Sequence, residues 1–207
     1  MSFYTTVSAE SGSEFTEKKS RFIGEIFPVE NEEEALKMLA MVKSRYPTAN
    51  HHVFAYVLRE NNTERASDDG EPSGTGGVPI LNVIKGNHLT NVLIVVTRYF
   101  GGVLLGTGGL SRAYSEGAKI AVDAAAKKIV AETSDYSFKC DYDLYGKVER
   151  YFMDQKIMIL SSDFGEIVSV SFRIPEENNQ KVLSDLTELS SGRISPKIVS
   201  KGWNELK

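Results

Sequence analysis

Ten of the 17 glycines lie between Gly70 and Gly109, and an unbroken apolar run, residues 92–96 (VLIVV), sits among them. A valine-rich run without alternation marks a strand buried on both faces. Glycine accepts positive φ and lets other groups approach the backbone closely. Two glycine-rich segments around one doubly covered strand thus require a sheet with a layer on each side and shaped loops at one end. The first segment is acidic, Asp68-Asp69-Gly70-Glu71 followed by Gly74-Thr75-Gly76-Gly77. The second is basic and aromatic, Arg98-Tyr99-Phe100-Gly101-Gly102 followed by Gly106-Thr107-Gly108-Gly109.

The flanking sequence supplies the other elements. Residues 15–29 carry apolar side chains spaced for a strand that ends at Pro28. Asn31 is placed as an N-cap, with Glu32, Glu33 and Glu34 in the turn where the helix dipole favours carboxylates; the helix then ends before Pro47. Residues 52–58 read as a strand and 61–77 as a loop. Residues 78–84 form a helix with Pro79 in its first turn. Beyond the second glycine segment, Leu110, Ala113, Tyr114, Gly117, Ala118, Ala121, Ala124 and Ala125 make a small-residue helical stripe suited to close packing on a sheet. Arg112/Glu116 and Asp123/Lys127 are spaced as i,i+4 pairs.

After Glu132 the texture changes to a regular succession: strand 136–142, helix 144–155, strand 157–162, a tight turn at Asp163-Phe164-Gly165, strand 166–174, helix 176–189 and strand 193–201. This is βαββαβ, the ferredoxin-like arrangement. The expected fold class is α+β, with an α/β domain over 1–132 and a ferredoxin-like domain over 133–207.

Composition narrows the function classes. The chain has 207 residues, 41% hydrophobic and 25% charged, with no apolar run of the ~18 residues that span a bilayer. Its first residues lack the basic-then-apolar layout of a signal peptide, so a cytoplasmic protein with no membrane partner is expected. The single cysteine, Cys140, excludes an intrachain disulfide and reads as a buried small hydrophobe. Net charge is −4, which gives no overall basic footprint for nucleic acid. From Lys85 to Lys128, however, six basic residues face only Glu116 and Asp123.

Three constellations carry chemistry. Asp68, Asp69 and Glu71 offer oxygen ligands of the kind that Mg²⁺ takes beside phosphates; alternatively they build a turn held by an arginine. His51 and His52 are adjacent on a strand, so they point to opposite faces, one to a cleft and one to the core or solvent. Each glycine segment precedes an expected helix, whose first N–H groups attract anions. Neither has Walker A spacing, and neither makes a dinucleotide fingerprint. Tyr99 and Phe100 beside Arg98 could stack on bases, or Arg98 could pair with Asp68, Asp69 or Glu71. Ser67, Ser73, Thr75 and Ser111 lie in no nucleophile elbow.

The runs DDGEPSGT (68–75), VVTRYFGG (95–102) and LGTGGL (105–110) through Arg112-Ala113-Tyr114 resemble the IMPACT (YigZ-type) family, as do Lys19-Ser20-Arg21-Phe22-Ile23 and Ala49-Asn50-His51-His52. Departures are Val53, where cysteine is frequent, and Gly77, where alanine is. The resemblance implies a first domain like the second domain of the fifth small-subunit ribosomal protein. It implies a second domain similar to the last domain of elongation factor G. Eukaryotic members are translational regulators, so an RNA- or ribosome-associated, non-enzymatic regulator of translation is expected, with a possible protein partner in translation and no cofactor. Its phosphate- or nucleic-acid-binding candidates are Arg98, Tyr99, Gly101, Gly102, Gly108, Gly109, Arg112 and Lys119. The family-motif cleft candidates are His51, His52, Asp68, Asp69, Glu71, Ser73 and Thr75. No metal ligand set is assigned. Two alternatives stand beside this expectation: a Mg²⁺-dependent phosphate-transfer or hydrolytic enzyme, and a protein-interaction module.

Overall fold

The computed structural model describes residues 3–206. Two compact units are formed, one by Tyr4–Lys128 and the other by the chain from Ile129 on together with Phe3. The first contains all but the first residue of β1 (Phe3–Val7), then β2 (Ser11–Glu17) and β3 (Ser20–Pro28), followed by α1 (Glu32–Arg45), β4 (His51–Val57), β5 (Glu64–Ser67), α2 (Gly77–Gly86), β6 (Val92–Tyr99) and α3 (Thr107–Asp123). Five of these strands form a sheet in the order β2-β3-β6-β4-β5, antiparallel at every pairing.

β6 is central, and every residue from Val92 to Arg98 is buried. Its side chains alternate between two cores, as strand geometry requires. Val92, Ile94 and Val96 join Phe22, Val53, Ile80, Leu110 and Tyr114 under α2 and α3. Leu93 and Val95 join Phe27, Phe54, Tyr56, Leu39 and Val42 under α1. Asn31 caps α1, its Oδ1 accepting the Glu34 N–H at 2.9 Å. The small-residue stripe sets α3 directly on the sheet: a Cβ on Gly24 of β3 would stand 1.9 Å from the Gly117 carbonyl oxygen.

Three expectations change in this unit. The strand expected over 15–29 is a hairpin, β2–β3, turning at Lys18 and Lys19 with φ of +45° and +66°. The loop expected over 61–77 contains β5, an edge strand whose residues Glu64-Arg65-Ala66-Ser67 show no apolar periodicity and which β4 holds by backbone pairing. Asp123 ends α3, so Lys127 lies beyond the helix and donates to Asn87 Oδ1 at 3.1 Å rather than pairing along a helical face.

The second unit uses most of β7 (Lys127–Cys140), then α4 (Tyr142–Asp154), β8 (Met158–Phe164), β9 (Val168–Pro175), α5 (Asn179–Leu189) and β10 (Lys197–Glu205). The strands run β10-β7-β9-β8, all antiparallel, the order of a ferredoxin-like sheet. One sheet face, with Tyr136, Phe138, Cys140, Val170 and Phe172, packs on Leu144, Val148, Phe152, Val182 and Leu186 of the helices. Alternation sends Ser137, Lys139, Ser169, Ser171 and the Asp135–Arg173 pair to the other face. β8 continues through Asp163 and Phe164, which moves the turn past the expected place. β10 begins at Lys197 instead of Arg193.

Candidate functional site

The acidic motif folds into a tight turn, with the Glu71 N–H bonding the Asp68 carbonyl at 2.9 Å and φ of +43° and +89° at Asp69 and Gly70, as in a type I′ turn. Its three carboxylates then diverge. Asp68 accepts three backbone N–H groups, Gly74 at 2.8 Å on Oδ2 and Gly76 and Gly77 at 2.9 and 2.8 Å on Oδ1. Burial opposes ionisation of Asp68, but the three donors outweigh it and hold the carboxyl below its usual range. The N–H groups of the first glycine segment are thus occupied from within the chain: Asp68 caps α2. Asp69 accepts the His52 N–H at 2.6 Å and pairs with Lys43 at 3.2 Å. Ser73 lies exposed on the same loop, and the Thr75 hydroxyl donates to the Pro72 carbonyl at 2.6 Å.

Glu71 turns inward. Its side chain is 4% exposed, and Oε1 accepts Arg98 Nη1 at 2.6 Å and the Tyr114 hydroxyl at 2.6 Å. Burial first, and the neighbouring carboxylate second, push the Tyr114 phenol well up from its usual value. The β3–β6–β4 register sets Phe22, Arg98 and His51 side by side, and the Arg98 guanidinium lies 5.5 Å from the Phe22 ring centre and 5.4 Å from that of Phe100. Of the three acidic partners open to Arg98, Glu71 is the one it takes. Arg98 is 5% exposed, which makes it an anchor of the site and removes it as an open phosphate ligand.

The two histidines separate as alternation requires. His52 is buried on the α1 side, where Nε2 stands 3.2 Å from the Tyr46 carbonyl oxygen and burial lowers its basicity. His51 faces the α3 side. Its Nδ1 lies 2.9 Å from the Asp69 carbonyl oxygen; a carbonyl only accepts, so Nδ1 carries the proton and Nε2 is left bare in the neutral ring.

His51, Glu71 and Arg98 line one open cleft of about 450 Å³, together with Asn50, Phe100, Leu104, Leu105 and the start of α3 at Gly106 and Thr107. Its rim is apolar and solvent-facing: Phe100 is 44% exposed and Leu104 83%. The loop after β6 is held from both sides. Asn50 Oδ1 accepts the Phe100 N–H at 2.8 Å and Ser20 Oγ accepts the Gly101 N–H at 3.1 Å. Gly101 passes so close to the β2–β3 hairpin that a Cβ would fall 2.0 Å from the Lys19 carbonyl carbon. Gly106 caps α3 without a side chain, and among the described residues this amino end has no side-chain acceptor like Asp68. Gly108 and Gly109 lie in its first turn; Gly102 lies in the loop with φ of +80°.

The remaining candidates lie elsewhere. Arg112 and Lys119 share the outer face of α3 with Glu116 and border a groove against α2. Arg112 also borders a hollow with Lys18 and Leu105, and Leu105 belongs to the cleft as well. Tyr99 sits by Arg21, whose guanidinium is 5.8 Å from its ring centre. Among the described residues no three His, Cys, Asp or Glu side chains converge as a metal site needs. Of the two rings expected to stack, Phe100 lines the cleft and Tyr99 does not. Asn50, present only as part of a family motif, and Lys18 were not expected as site residues; the pairing of β3 with β6, which brings the hairpin to the loop, is the signal that finds Lys18.

Residues 18–122 match the Impact N-terminal domain family, and 138–193 match a domain of unknown function, DUF1949. The chain belongs to the IMPACT family. An IMPACT family member of Haemophilus influenzae is 37% identical over 89% of this chain and 91% of its own length. The IMPACT family member YigZ of Escherichia coli is 31% identical over 86% and 88%. Rat Protein IMPACT is 29% identical over 46% of this chain and 31% of its own length. A crystal structure of a hypothetical protein superposes with a TM-score of 0.63 at 28% identity, covering 97% of this chain and 98% of the other. No helix among the described residues is long and apolar enough to cross a membrane.

Proposed function

We propose that this IMPACT family member is a non-enzymatic regulator of translation that holds single-stranded RNA, on the ribosome, in the cleft beside β6. The observation that carries this reading is the exposed Phe100 ring at the rim of an apolar cleft, next to the α3 amino end. Aromatic platforms of this kind stack unpaired bases, and helix amino ends favour phosphates. Arg112 and Lys18, in the adjoining hollow, extend the path for a phosphate backbone. The ferredoxin-like sheet offers no competing stacking platform on β7 and β9: their open face carries serines, Lys139 and an ion pair, where base-stacking sheets carry aromatic rings. The enzyme alternative loses its ligand set, because Asp68, Asp69 and Glu71 each serve different partners.

Fluorescence-anisotropy titrations of labelled single-stranded RNA and of purified ribosomal subunits, at low and moderate salt, test the proposal. Affinity should fall with salt, and Lys18→Ala/Arg112→Ala should weaken binding and flatten the salt slope by about 1.4. Binding at neither salt rejects it. The exposed row Phe100, Val103 and Leu104 also favours a protein partner, which would show as a pull-down product that survives nuclease treatment while RNA fails to bind.

A further inference from the structure

The cleft presents a specific set of polar atoms that the fold leaves unused. Both hydrogen bonds of the Glu71 carboxylate go to Oε1. Oε2 accepts none among the described residues, although the side chain is 96% buried, the complement of its 4% exposure. It is also not sealed off, since it is absent from the fully buried unpaired atoms while Glu71 lines the cleft. His51 Nε2, which is bare in the neutral ring because the Asp69 carbonyl engages Nδ1–H, lies 3.7 Å from Glu71 Oε1, beyond hydrogen-bond reach. Asn50 Oδ1 is taken by the Phe100 N–H, so the amide nitrogen is the free end, with two donors and no partner among the described residues. The cleft therefore offers two acceptors, with one donor group on the exposed Asn50, beside an aromatic rim.

Among the RNA bases only guanine supplies the complement on its Watson–Crick edge: a carbonyl acceptor, O6, followed by two adjacent donors, N1–H and the N2 amino group. Adenine and cytosine each place a ring acceptor beside their amino donor, where it would face the Glu71 carboxylate. Uracil has one donor between two carbonyls. A carboxylate whose orientation is fixed by Arg98 and Tyr114 rejects a facing lone pair strongly, because neither group can turn away. We infer that the cleft is a guanine pocket, in which Phe100 stacks on the base, Glu71 and His51 accept from N1–H and the N2 amino group, and Asn50 donates to O6. This rests on the RNA-binding reading and names the base that the same site selects. An arginine side chain of a protein partner also carries paired N–H donors. The positive end of α3 at the rim favours a ligand with an anionic phosphate over a cation.

The test uses the intact protein and labelled single-stranded RNAs of A, U and C with one central guanosine. In matched RNAs that guanosine becomes inosine, which lacks only the N2 amino group, adenosine, or 7-deazaguanosine, whose pairing edge is unchanged. Inosine and adenosine should each weaken binding about tenfold, and 7-deazaguanosine should change it less than twofold. Glu71→Gln should reduce the guanosine preference; because Glu71 is buried, that variant is checked for folding, and the inosine comparison needs no variant at all. Equal affinity for guanosine, inosine and adenosine RNAs overturns the guanine pocket while leaving RNA binding intact. Displacement of the RNA by L-argininamide overturns it in favour of a peptide guanidinium. No binding by any of the RNAs removes the RNA reading itself.

Discussion

Asp68 provides the sharpest test of how the acidic motif works. Asp68→Ala removes the acceptor for three N–H groups, of which those of Gly76 and Gly77 are on buried residues and that of Gly74 on an exposed one. Water replaces the carboxylate at Gly74. Each buried N–H left without a partner costs about 1–3 kcal/mol, and capping losses run at about 1 kcal/mol, so with partial relaxation the first unit should lose about 2–4 kcal/mol. Asp68→Asn keeps one oxygen and should lose about 1 kcal/mol. Trp203, the one tryptophan, belongs to the other unit, so fluorescence is the wrong probe. Hydrogen exchange of the β6 amides reads the first unit directly, and Asp68→Ala should accelerate it about 30- to 700-fold at neutral pH. The folded carboxyl titrates below its ordinary 3.8. The stabilisation is therefore complete above that value and disappears as pH falls through the folded one. The gap between wild type and Asp68→Ala should be constant from about pH 7 to 5 and close only below about pH 4. Acceleration under about twofold, or a gap that closes near neutrality, would refute the capping role.

The other predictions concern the rest of the framework. Arg98→Leu leaves Glu71 buried without its cation and should cost about 3–5 kcal/mol, seen as a large fall in Tm; Arg98→Leu/Glu71→Gln should recover part of it. Gly24→Ala places a methyl against the Gly117 backbone and should cost about 3 kcal/mol in urea unfolding followed by β6 exchange. In the second unit, the hydrogen bond from Arg173 holds the Asp135 carboxyl below its usual range. Asp135→Asn should lower the Trp203 unfolding midpoint at neutral pH, with the difference fading below about pH 4 as the wild-type carboxyl protonates. Phe100→Ala should weaken RNA binding by about 1–3 kcal/mol with little change in Tm, since the ring stands at the exposed rim.

The fold was legible where the determining signal is local. Asn31 followed by three glutamates announces the start of α1, the valine run of β6 announces burial on both faces, and the alanine and glycine stripe of α3 announces close packing on the sheet. β5 was not legible, because Glu64-Arg65-Ala66-Ser67 has no apolar side to bury and is a strand only through bonds to β4. The site divided in the same way. That His51 and His52 face opposite ways follows from strand geometry alone. The choice of Glu71 by Arg98 depends on a turn 27 residues away that aims one carboxylate at Arg98 and commits the other two to backbone N–H groups. The first glycine segment looked as ready for an anion as the second. The difference is Asp68, an internal anion already seated there, and it becomes visible only once the chain has turned back on itself.

The central claim, that RNA occupies the cleft beside β6, is tested most directly by mapping hydrogen exchange on the intact protein with and without saturating single-stranded RNA. Protection should concentrate on the loop from Phe100 to Gly106, the first turn of α3 and the Lys18–Lys19 hairpin turn, with no change on the serine-lined face of β7 and β9. Protection of that sheet face instead, or no protection around Phe100 under conditions where RNA is bound, would contradict the account.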